Sequence, residues 1–465
     1  MNKIILIGIT LCLTGCTLIP NYHRPVSPVP SQFPFTDSQE SLNGGRSAYD
    51  TGWHEFFKDA RLQKLIELSL NNNRDYRVAL LNVDQIRAQY RIINYALLPS
   101  FQIDGTGLRQ RSLGTSTSYI RQHSYNANVN TAYEVDVFGH IRSLKAQVLE
   151  QYLATQEASR SAQISLVAEV AVQYLTERAL SEQLALLRLT LQSVLSNEEL
   201  INKSYKLGNS SALDLSLVQA QVQSARVAIA NYERQRAQAQ DALVLLIGEP
   251  LPEDLPLPLP LEKQNFMADL PAGLSSDLIE RRPDILQAEH QLKAANANIG
   301  VVRASFFPKI TLTGLEGTAS TQLAKLFTPG TQVWSFSPQI SLPLFNQNTN
   351  LANLDAAQVG KRIEIAQYEK AIQTAFKEVS DAIVARDTFN DQIKAQLGLV
   401  KAQQERYDLA GSRYHSGLDS YLTVLLAQQD LYSAQENLIQ VNLERFVNLI
   451  TLYKVLGGGW EEHAS

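Results

Sequence analysis

None of the seven histidines in this 465-residue chain stands in an HExxH or other paired-ligand spacing, so no metal site is expected. No glycine-rich loop is placed to cradle a phosphate, and no serine sits in a nucleophile elbow. Only Met1 and Met267 occur, which rules out a methionine ladder for soft copper. The net charge of −5 is mild, and no basic block points to nucleic acid. The chain is therefore not expected to be an enzyme or to carry a catalytic residue or cofactor.

The two cysteines are the remaining reactive groups. Lys3 precedes an apolar run from Ile4 to Leu13, too short to span a membrane but suited to a secretory signal core. Leu13-Thr14-Gly15-Cys16 follows and resembles the bacterial lipobox, where the signal is cut before a cysteine that becomes acylated. Each buried methylene of an acyl chain contributes roughly 0.8 kcal/mol to anchoring. Thr17 stands where lipoproteins held at the inner membrane often carry aspartate, so this resemblance implies outer-membrane sorting. Cys12 lies in the discarded segment, leaving no thiol for a disulfide.

The elements that would position any site are organised around Arg281–Phe345, a helix feeding a β-hairpin. Pro283 and Asp284 mark a helix start, with proline in the first turn and an acid at the positive end of the dipole. The same plan occurs about 209 residues earlier: Asp75, Ala79, Pro99, Gly105, Tyr205, Gly208 and Gly248 match Asp284, Ala288, Pro308, Gly314, Tyr414, Gly417 and Gly457. A steady offset of this kind means an internal duplication. The expected organisation is a signal peptide 1–15, an extended tether 16–52, a first repeat 53–249, a proline-rich linker 250–274, a second repeat 275–457 and a tail 458–465. Trp53, Phe56, Phe57, Leu62, Leu65 and Ile66 read as one short helix with a packing face.

Each repeat predicts a helix, two strands, a very long helix, a turn and a returning helix. Asp75 to Leu98 is the first helix. Tyr125, Ala127, Val129, Thr131, Tyr133, Val135 and Val137 then share one strand face, while Asn126, Asn128, Asn130, Glu134 and Asp136 share the other. Trp334, Phe336, Ile340, Leu342 and Leu344 alternate similarly in the second copy. From His140 to Leu207 there is neither glycine nor proline, and those roughly 68 residues would make a helix of about 100 Å. The second long helix begins near Leu351. Gly208 and Gly417 supply left-handed turn geometry, and Ser211 is available to cap the next helix.

In isolation the alternating strands read as a soluble sandwich with one wet face. Their length, their terminal aromatics and the preceding lipoprotein signal favour a membrane barrel instead. Four strands cannot close one, because the smallest barrels need about eight. Three chains of four strands would close a twelve-stranded barrel, continued by a helical coiled-coil barrel. The fold class is thus mainly α with a pair of β-hairpins, and Asp104, Glu134 and Asp136 would give the lumen a cation-preferring character.

Across nearly the whole chain the motifs resemble the outer-membrane efflux factors, the TolC-like family, in its lipoprotein (NodT-type) branch. The residues that carry this are Leu13–Cys16, Trp53 through Asp59 to Leu62, Leu278–Ile285 with Ala288-Glu289, Ala294–Ala297 with Ile299-Gly300, Phe307–Ile310, and Tyr414–Gly417 with Tyr421-Leu422 and Ala427-Gln428. The resemblance implies a passive homotrimeric duct in the outer membrane, with its helices in the periplasm. Its partners would be a periplasmic adaptor and an inner-membrane transporter of the RND type, and its cargo small molecules. It also implies that the helical tips form the gate, with Arg413, Tyr414, Leu418, Asp419 and Tyr421 at the constriction and Asp419 in an acidic ring. Three acids near an axis would raise the pKa of some of them. Gly208, Asn209, Ser211, Leu213, Gly417 and Ser420 would shape the adaptor dock. The bland readings are a helix N-cap for Asp419 and a solvated last turn for Arg413 and Tyr414. The alternative functions are an exit duct for secreted polypeptides, or a lipid-anchored coiled-coil scaffold without a pore.

Overall fold

The computed structural model describes residues 17–30, 33, 48–113, 119–266, 280–344 and 347–460. Cys16 and the signal segment lie outside the described residues, as do parts of the tether, the first hairpin loop, the linker and the tail.

The region expected as one helix from Trp53 is two, α1 (Trp53–Phe56) and α2 (Ala60–Asn72). Phe57 turns extended to bridge Phe266, and Asp59 restarts the helix by accepting the Arg61 N–H at 2.8 Å. Then come α3 (Arg74–Tyr95), β1 (Ser100–Leu113), β2 (Tyr119–Val135), α4 (His140–Lys206) and α5 (Ala212–Ile247). A second series follows in the same order: α6 (Pro283–Ala304), β3 (Lys309–Ser320), β4 (Gln332–Ser341), α7 (Gln347–His415) and α8 (Tyr421–Val455). Pro283 takes the first position of α6, where its missing N–H leaves no intrahelical bond unmade.

The chain divides into two compact units. One comprises Leu81–Glu157 and Leu286–Lys370 with the described part of the N-terminal segment through Val26, and it holds the sheet. The other comprises Ser27–Leu80, Ala158–Ile285 and the residues from Ala371 onward, and it holds both helical turns.

The sheet is antiparallel in the order β1-β2-β3-β4, so β1 and β4 each pair on one side only. Its register puts Ile103, Val129, Glu316 and Trp334 in one cross-strand row and Phe101, Thr131, Gly314 and Phe336 in the next. The apolar sets of all four strands therefore share one face, as the alternation predicts. Phe101, Ile103, Trp334, Phe336 and Ile340 are exposed, because nothing among the described residues covers that face. The other face is polar: Asn126 donates to Thr106 at 3.2 Å and Thr313 to the Ser337 carbonyl at 3.1 Å. Both strands end earlier than expected. β2 stops at Val135, and β4 at Ser341, so Val137, Leu342 and Leu344 are not strand residues.

In the second unit α1 and α2 build a buried aromatic core. Phe56 stacks on Tyr453 with centroids 4.0 Å apart and meets Phe57 edge-on at 4.8 Å. Asp59 also accepts from the Tyr174 hydroxyl at 2.7 Å and the Gln264 amide at 2.8 Å, so the buried carboxylate is fully engaged. The linker is held down here rather than spanning freely, with Leu261 buried and its N–H donating to Glu182 at 2.7 Å.

Candidate functional site

The two helical turns have nearly the same backbone. Gly208 (φ 80°) and Gly417 (φ 73°) are left-handed. The Gly208 and Gly417 N–H groups donate to Tyr205 and Tyr414, and those of Asn209 and Leu418 reach back to Ser204 and Arg413, at 2.9–3.0 Å. This is the Schellman arrangement, which satisfies the last carbonyls of a helix and needs a residue without a Cβ at the left-handed position. Ser211 then caps α5 in a reciprocal box with Asp214.

Behind the turns, Val194 and Ile201 of α4, Val218 and Val222 of α5, Ala410 of α7 and Val424 of α8 form one buried cluster. Fully burying each such valine or isoleucine contributes roughly 1.5–3 kcal/mol, so this end is a packed four-helix body. Tyr421 belongs to it. Its ring is 2% exposed and meets Tyr414 edge-on at 5.6 Å, and burial pushes its hydroxyl up to about 12. Tyr421, expected at the constriction, is thus a core residue of a single chain. By contrast Leu207 and Leu213 on the first turn, and Leu418 and Leu422 on the second, are exposed.

Asp419 is not the cap of α8, since Ser420 occupies the N-cap position. Its carboxylate accepts two bonds from Arg413, at 2.6 and 3.1 Å, tying the last turn of α7 to the loop that follows. The Arg413 guanidinium holds Asp419 below its ordinary carboxylate value, opposite to the rise expected of a bare acidic ring. Arg413 is accordingly more than a solvated last turn.

The three acids expected to line a lumen separate. Asp104 lies on the polar face and accepts from Gln102 at 2.8 Å and from Asn130. Glu134 shares that face but is paired with Lys309 at 2.7 Å, with His140 3.8 Å away. Asp136 has left the strand. It accepts the Ile141 and Arg142 N–H groups at 3.1 and 2.9 Å and the Arg142 side chain at 3.1 Å. It caps α4, because four N–H groups at a helix start need acceptors, and is withdrawn from the lumen set.

Two arrangements escaped the sequence. Arg282, read as part of a helix start and of the family motif but given no partner, is buried and joins Asp284 (2.7 Å), Glu378 (2.9 Å) and the Val455 carbonyl (3.0 Å). The segment after Cys16 lies against α6: Asn296 donates to the Pro20 carbonyl at 2.8 Å, and Glu289 accepts from Arg24 at 2.7 Å. An added Cβ at Gly300 would fall 2.6 Å from Ile19. A glycine inside an uninterrupted helix was the available signal, because it costs about 1 kcal/mol against alanine and needs a packing reason.

The model of the family described as outer membrane efflux protein matches residues 65–249 and 274–458. The toluene efflux pump outer membrane protein TtgC of Pseudomonas putida is 46% identical over 459 residues, covering 97% of this chain and 94% of that protein. The cation efflux system protein CusC of Escherichia coli O157:H7 is 38% identical over 462 residues, covering 99% of each. Among solved structures, the open state of the Neisseria gonorrhoeae MtrE outer membrane channel superposes with a TM-score of 0.88 at 40% identity, covering 97% of this chain and 100% of that one.

Proposed function

Because the chain belongs to the outer membrane efflux protein family, we propose that it is the outer-membrane duct of a tripartite efflux pump, a homotrimer that passes small toxic molecules to the exterior. The observation that carries this is the sheet, with the apolar sets of all four strands on one face, Glu316 the one acid among them, and both edge strands unpaired on one side among the described residues. Open edges do not persist in lipid, and four strands cannot close on themselves. Three copies supply twelve strands, joining β1 of one to β4 of the next. The repeats 53–249 and 275–457, joined by 250–274, then build the periplasmic helical wall.

The turns at Gly208 and Gly417 dock the periplasmic adaptor, which couples the duct to an inner-membrane transporter of the RND type. Their exposed leucines support this, since a partner's helical hairpin would bury them. Cys16 takes the acyl chains, and residues 17–24, fastened along α6, lead from it. Asp104 is the lumen acid that retains a cation-preferring role. The cargo is a class of small apolar or cationic compounds, as the relatives named for toluene and cations suggest.

The test is mass and conductance together. Detergent-solubilised protein should run as a trimer by light scattering and open pores in a planar bilayer. A monomer stable in water without amphiphile would end the proposal. Cysteines at Ser211 and Ser420 should crosslink to the adaptor, and no adduct from either position would remove the docking assignment.

A further inference from the structure

The first hairpin extends past the second on the apolar face. The last row shared by β3 and β4 is Thr318↔Gln332, whereas β1 and β2 continue to Leu113↔Tyr119. In that extension the register places Arg109 opposite His123 and Arg111 opposite Arg121. By parity these four share the face of Phe101, Ile103 and Val129, not that of Asp104 and Asn126. The polar face at the same level carries Gln110, Gln122, Ser112 and Ser124, without charge. The positive charge is therefore sorted entirely to the outer face.

Three further observations point to a ligand there. Like charges directly across a strand pair are destabilising, yet Arg111 and Arg121 are such a pair. Tyrosines hold two of the arginines in place: the Arg111 guanidinium lies 3.8 Å over the Tyr119 ring, and Arg109 Nε donates to the Tyr125 hydroxyl at 2.9 Å. No ion pair joins Arg109, Arg111 or Arg121 to a carboxylate among the described residues, and the loop 114–118 reads Gly-Thr-Ser-Thr-Ser, without an acid. All three are exposed.

Their height follows from strand geometry. The rows of this face that lie below the basic extension, apolar but for Glu316, Gln332 and threonines, run from Val135–Ile310–Ile340 to Ala127–Thr318. Eight residues at about 3.4 Å each, tilted by about 40°, rise roughly 20 Å, close to the apolar band of an outer-membrane barrel. Tyr125 stands one row higher, and the basic rows lie roughly 5–10 Å beyond it on the same scale. That is headgroup depth, where membrane phosphates lie and guanidinium groups pair with them bidentately.

We propose that Arg109, Arg111 and Arg121, with Tyr119 and Tyr125, form a binding site for the phosphate groups of a phosphorylated glycolipid of the surrounding leaflet. The site rests on the barrel reading above. It fixes the rotation and depth of the first hairpin in the membrane, and three copies of it surround the trimer.

The test uses the full-length protein in detergent, with native mass spectrometry against three probes: bisphosphorylated lipid A, the same lipid dephosphorylated, and inorganic phosphate. The wild type should bind the bisphosphorylated lipid at least about tenfold more tightly than the dephosphorylated one, as loss of one charge-assisted contact implies. The triple variant Arg109→Gln/Arg111→Gln/Arg121→Gln should lose that preference, while Lys203→Gln/Lys377→Gln/Lys394→Gln on the helices keeps it. Equal preference in wild type and triple variant overturns the site. So does inorganic phosphate that displaces the lipid at millimolar concentration, because the ligand is then a free anion. Trimer mass and conductance are measured on the same samples. If both persist while the lipid preference is absent, only this inference fails; if neither is found, the barrel reading fails and the site with it.

Discussion

Three left-handed glycines permit a controlled comparison. Gly208, Gly417 and Gly248 have φ of 80°, 73° and 82°, so alanine meets the same backbone penalty at each. That penalty is about 1–2 kcal/mol. At Gly208 and Gly417 no heavy atom lies within 4 Å of the added Cβ, so nothing further is lost. At Gly248 the Cβ falls 2.5 Å from the Asn72 carbonyl oxygen and 2.9 Å from its carbon. That backbone cannot swing aside, because Ser69 and Asn73 both donate to the Leu246 carbonyl, at 2.9 and 2.8 Å, and hold α2 against the end of α5. Overpacking adds about 1–3 kcal/mol, for a total near 2–5 kcal/mol. Thermal melts of the three detergent-solubilised variants, followed by circular dichroism, should show Gly208→Ala and Gly417→Ala close together and Gly248→Ala clearly lower. Three equal shifts would refute the reasoning, since backbone strain alone would then account for all.

Asp419→Ala and Arg413→Ala should each raise single-channel conductance in a planar bilayer, because either one releases the tie across the second turn. If only Asp419→Ala has an effect, lost negative charge is responsible, and no change in either discards the gate role. Burial alone would raise the Glu289 carboxyl, but Arg24 and Lys293 outweigh it and hold the group below its ordinary 4.5. A depressed acid contributes stability above that value and loses it as pH falls through the lowered pKa. The protection factors of the amides over residues 18–24, taken against the intrinsic exchange rate at each pH, should therefore fall from pH 6 to pH 3, and Glu289→Gln should abolish the dependence; the same fall in the variant would contradict this. Phe56→Ala removes a fully buried ring stacked on Tyr453 and should cost about 3–5 kcal/mol. A denaturant midpoint unchanged from wild type would show that the aromatic core had re-formed around the gap.

Local chemistry was legible in one dimension. The 209-residue offset, the period-two alternation and the paired turn glycines each depend only on residue type and spacing. The cross-strand rows and the matching φ values at Gly208 and Gly417 reproduce them. Helix and strand limits slipped by a few residues where a side chain intervened, as when Asp136 bent out of β2 to cap α4. What tertiary structure alone decided was the fate of individual charges and rings. Asp419 and Arg413 are six residues apart, yet only the Schellman turn folds one carboxylate onto one guanidinium. Tyr421 is an ordinary first-turn tyrosine in sequence and a buried core residue because α4 and α5 close over it. Arg282 meets Glu378 and Val455, 96 and 173 residues away, and Arg24 meets Glu289 across 265. Pattern sets which face an element buries, whereas pairing energy depends on what the packed neighbours bring within about 3 Å, and spacing along the chain does not encode that distance.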